Sequence, residues 1–117
     1  MVQAETYEHV RQTAPSFARD QERQAFDAGI ALLEEAKAAP GELNIRVDAA
    51  RCMQKLWGFL IKDLSDPSNE LSDELKANLI SIGLWVLKEI DAILAGQSEN
   101  WSGLIEINRT VREGLSS

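Results

Sequence analysis

Side chains able to do covalent or acid–base chemistry are few in this chain of 117 residues, and they are scattered. The one histidine, His9, has neither a second histidine nor the one cysteine, Cys52, near it in sequence. A zinc site and a nucleophile–base pair both need such neighbours, so neither can be assembled. Cys52 forms no internal disulfide and reads as a small apolar residue on a helix. Glu34-Glu35 and Asp73-Glu74 are neighbouring carboxylates, but adjacent residues on a helix point about 100° apart and do not share one substrate as acid and base. The stretch from Asp63 to Glu74 has the length and end residues of a calcium loop. Pro67 and Leu71 occupy ligand positions there, and Ser68 stands where glycine is needed, so calcium is not expected. No glycine-rich phosphate loop is present. The expectation is a protein without enzymatic activity, metal or cofactor.

What remains conspicuous is apolar. Trp57, Trp85 and Trp101 are three of the seven aromatic residues, and each suits either a core position or a contact with a partner. Trp85 is the best candidate for a contact, because it falls between two apolar stripes of its helix. Asn108 interrupts an apolar stripe, and a buried amide there must hydrogen-bond something, most simply across a helix–helix contact.

These residues must be positioned by helices. Phe26, Gly29, Ile30, Leu33 and Ala36 recur at spacings of three and four, which predicts a helix from Ser16 to about Ala38, stopped by Pro40-Gly41. Leu43, Val47, Ala50, Met53, Trp57, Leu60 or Ile61, and Leu64 predict a second helix with one buried stripe. Ser65 to Leu71 is polar and contains Pro67, so it reads as a loop. Ser72 is the expected N-cap of a third helix, with Asp73 and Glu74 in its first turn. That helix, Leu75 to about Leu94, carries the stripe Leu75, Leu79, Ile82, Val86, Ile90, Ile93 and a second one, Ile80, Leu84, Leu87, Leu94. It is apolar over most of its circumference, which makes it central or leaves part of it for a partner. Gly96 reads as its stop and Ser98 as the next cap. Trp101, Leu104, Ile105, Asn108, Val111 and Leu115 line the last helix. Residues 1–15 read as an N-terminal arm with a short helix around Glu5–Gln12, and 16–117 as a single helical-bundle domain, all-α, antiparallel, of about four helices.

The totals exclude other classes. Hydrophobic residues are 44% and charged ones 26%, an ordinary globular balance. The net charge is −7 and no cluster of Lys and Arg occurs, so direct binding to nucleic acid or to an anionic membrane is not expected. The start of the chain does not resemble a secretory signal, and the longest apolar run, Leu79 to Leu87, falls short of the roughly 18 residues of a spanning helix. A cytoplasmic location is the expectation. The sequons at Asn100 and Asn108 carry no meaning in such a chain.

Leu79-Ile-Ser-Ile-Gly-Leu-Trp-Val86, Leu104-Ile-Glu-Ile-Asn-Arg109 and Glu113-Gly-Leu115 resemble, in order and spacing, the FlaF family of flagellar biosynthesis regulators of alphaproteobacteria. Leu56-Trp57-Gly-Phe59, Asp63-Leu64, Asp73-Glu74-Leu75, Tyr7 and Ala14-Pro15-Ser16 extend the resemblance over nearly the whole chain. Met53 departs from the pattern, in which an asparagine often precedes the second-helix tryptophan by a turn. The resemblance implies a cytoplasmic factor for flagellin production and export that works alongside FlbT, a partner acting on flagellin messenger RNA. Two mechanisms are compatible with it. One is an export chaperone that masks an amphipathic helical segment of flagellin; the other is a post-transcriptional regulator acting with FlbT. For the chaperone, the expected partner-binding residues are Leu84 and Trp85 as anchors, Asn108 and Arg109 as polar neighbours, with Trp57 and Trp101 in the same set.

Overall fold

A computed structural model describes the backbone of residues 15–114 and side chains from Asp20 onward. The short helix expected around Glu5–Gln12 and the stripe residue Leu115 lie outside the described residues. Four helices follow in order: α1 Pro15–Ala38, α2 Leu43–Ser65, α3 Asp73–Leu94 and α4 Trp101–Gly114. The fold is the all-α, antiparallel four-helix bundle expected from the periodicity.

Local chemistry sets the helix ends. Ser72 Oγ accepts the Leu75 N–H at 3.2 Å, as a helix cap should. α3 ends on Gly96, whose φ of +75° a side chain would resist. There the Gly96 N–H reaches Ile93 O at 3.0 Å and the Gln97 N–H reaches Ala92 O at 2.8 Å, the two bonds of a Schellman motif. The start of α4 differs from expectation. Asn100, not Ser98, is the cap: its Oδ1 accepts the Gly103 N–H at 3.1 Å, and its carbonyl accepts from Leu104 at 3.3 Å. Ser98 stands two residues back, accepting the Asn100 N–H at 3.1 Å and donating to the Glu89 carboxylate. In the polar loop, Asn69 is buried. Its amide donates to Asp63 O at 3.3 Å, and its oxygen accepts from Leu71 N–H at 3.1 Å, closing the turn after α2.

The helices stand at the corners of a square. α1 packs on α2 and on α4, and α2 packs on α3. The fourth side is different: α3 and α4 scarcely meet along their length. The core is built from Phe26, Leu33, Ala36, Ala50, Met53, Trp57, Val86, Ile90, Ile93, Trp101 and Leu104, all buried. Met53 lies wholly inside, among the core residues of α2. Leu43, expected to open the buried stripe of α2, is exposed instead, because it sits in the first turn, before α2 reaches its neighbours. Leu75 and Leu94, at the two ends of α3, are exposed as well.

Candidate functional site

At the centre of the bundle, Trp57 touches each of the other helices. Phe26 of α1 meets it edge to face at 5.8 Å between ring centroids. Asn108 of α4 accepts its indole N–H at 2.9 Å through Oδ1, and donates through Nδ2 to Leu104 O at 2.7 Å. From α3, Gly83 presents bare backbone. A Cβ there would lie 2.7 Å from Trp57 Cε3 and 3.0 Å from Ile61 Cδ1, so only glycine admits the ring without displacement. The glycine that interrupts the longest apolar run is therefore the residue on which α3 seats.

The six residues expected to face a partner divide accordingly. Trp57, Trp101 and Asn108 are buried and present no surface in this conformation. Trp101 is pinned at the start of α4: its indole N–H donates to Glu99 Oε2 at 3.1 Å, the other Glu99 oxygen accepts from Arg46 at 2.7 Å, and the Arg46 guanidinium lies 5.9 Å over the indole. Arg109 is exposed but pairs with Glu34 of α1, on the opposite flank of α4 from α3. With Glu34, Lys37, Ala38 and Ile105 it borders an open hollow of about 390 Å³, of mixed polar and apolar lining. Leu84 and Trp85 remain at the surface, 57% and 40% exposed.

Trp85 forms part of a larger feature. Where α3 and α4 fail to close, an open and mainly apolar groove of about 430 Å³ runs between them. Ser81, Ile82 and Trp85 form one wall; Gly103, Glu106, Ile107 and Thr110 form the other. Leu84 is not part of the lining. On α3 it is the residue before Trp85, so it points about 100° away, onto a different face. The lining of α4 was not anticipated. Its signal was present in the spacing of Gly103, Ile107 and Thr110, which recur at four and three beside the buried stripe and form a second face of that helix.

Among the described residues no group of three or more His, Cys, Asp or Glu could hold a metal, and no described helix is long and apolar enough to cross a membrane. Cys52 is half-buried in α2; burial pushes its thiol up, with Lys55 opposing.

Fold and surface together define a class: a small helical bundle, closed on three sides, with an apolar groove along the fourth. The chain belongs to the family described as flagellar protein FlaF, whose model matches residues 3–115. Neither a curated protein nor a solved structure matches it. By family, then, this is a flagellar protein.

Proposed function

We propose that this chain acts in the cytoplasm as a flagellin-binding export chaperone, without catalytic activity, and that the α3–α4 groove receives an amphipathic helix of flagellin. The observation that supports the reading is the half-exposed Trp85 in the wall of an open apolar groove. Apolar surface of this kind is retained in a small protein where it serves binding. A groove between two helices accepts the apolar face of a third, and flagellin's terminal segments are amphipathic helices that must be masked before they assemble. Binding would bury the indole that the free protein leaves in water.

The alternative, regulation of flagellin messenger RNA together with FlbT, draws support from family membership alone. A net charge of −7 disfavours direct phosphate contact. Titrating purified flagellin into the protein distinguishes the two. Trp57 and Trp101 are already buried, so the tryptophan emission of the mixture should shift to the blue through Trp85, and Trp85→Phe should abolish the shift. No binding of flagellin, together with salt-sensitive binding of its messenger RNA, would replace the chaperone reading by the regulatory one.

A further inference from the structure

The groove has a sign as well as a shape. The one charged residue in its lining is Glu106, which is exposed and in no ion pair among the described residues. Both arginines of α4 are turned the other way. Arg109 pairs with Glu34, and Arg112 holds Asp27 through two bonds, at 2.9 and 3.2 Å, all on α1. Glu113, seven residues beyond Glu106, continues the same exposed edge of α4. On α3 the nearest cation by helical position is Lys88, nearly a turn past Trp85 and outside the lining. The ion pairing that fastens α4 to α1 thus leaves the groove-facing edge of α4 acidic.

We infer that the groove recognises one amphipathic helix of a partner protein that carries Lys or Arg beside its apolar stripe, on the edge facing α4, and that Glu106 selects that charge. This rests on reading the groove as the partner site. The wall from Gly103 to Thr110 spans two helical turns, about 10 Å, the length over which a docked helix presents an i, i+3 or i+4, i+7 stripe. Ile82, Trp85 and Ile107 supply the apolar contact, and the carboxylate supplies the preference. A second copy of this chain fits poorly, because it would bring the same carboxylate and the same −7 charge to the interface.

Two synthetic helices with one identical Leu and Ile stripe, flanked by Lys in one and by Glu in the other, test this against the full chain. The Lys-flanked helix should bind roughly fivefold tighter, with the preference fading at high salt. Glu106→Gln should erase most of the preference and Glu106→Lys should reverse it. Glu106 is exposed, so the helical circular dichroism of both variants should stay that of the parent. An equal preference in all three proteins overturns the inference, as does a concentration-dependent dimer that occupies the groove. Flagellin bound equally by the parent and by Glu106→Lys would leave the chaperone reading standing and remove this one. A Glu106-dependent preference between the peptides, with no binding of flagellin, would do the reverse.

Discussion

Trp57 and Trp85 are the same residue in neighbouring helices, and the molecule uses them in opposite ways. Trp57 is wholly enclosed, with a ring partner, a hydrogen-bond acceptor and a glycine cut to its shape. Trp85, two residues after that glycine, keeps 40% of its surface in water beside a groove that no helix of the described chain fills. The difference lies in closure. Around Trp57 every neighbouring helix supplies a complementary group, so its burial adds to stability. Around Trp85 one side is left open, so part of the free energy of burying it is still available to a partner.

The largest effect should come from emptying the closed side. Trp57→Ala removes the hub and leaves the Asn108 amide oxygen without its donor, and should cost about 3–5 kcal/mol, read from urea unfolding followed by circular dichroism. An unchanged midpoint would mean that the four helices are not held together at this ring. Next is Gly83→Ala, which on an exposed helix would add up to about 1 kcal/mol of stability. Here the added methyl meets Trp57 and Ile61, and overpacking of about 1–3 kcal/mol should outweigh the gain. A stabilised Gly83→Ala protein would show that α3 sits farther from α2 than described.

Trp85→Ala sharpens the comparison from the open side. It should lose no more than about half as much stability as Trp57→Ala, while weakening the flagellin interaction at least about tenfold, the range of a binding anchor. Stability and affinity must be measured on the same preparation, since an equal loss of stability at both tryptophans would make Trp85 a core residue. Arg109→Ala should do little to either quantity. It breaks an exposed pair with Glu34, worth less than about 1 kcal/mol, and lies on the flank away from the groove. The smallest effect concerns Cys52: with its thiol held up by burial, its reaction with a thiol reagent at neutral pH should be slower than that of the unfolded chain.

The four helices and most of their ends follow from local information. A repeat of three and four residues makes a helix whatever it packs against, and Pro40-Gly41, Ser72 and Gly96 act through backbone bonds within a few residues of themselves. The cap at Asn100 was missed because Ser98 and Asn100 both have acceptors at suitable spacing; Ser98 is drawn instead to Glu89, on the preceding helix. The site was less legible. Whether a tryptophan in an apolar stripe is core or surface depends on which helix faces it and at what level, and that is set by pairings such as Trp57 with Asn108, 51 residues apart. The sequence alone determined that Asn108 needed a partner, that Trp85 lay off the main stripe, and that α3 had more apolar surface than one core uses. Only the tertiary structure decided that α1, α3 and α4 all close on Trp57 of α2, while α3 and α4 otherwise stand apart. Helix-to-helix contacts are chosen by shape and by long-range pairing, and neither is written in the periodicity of a single helix.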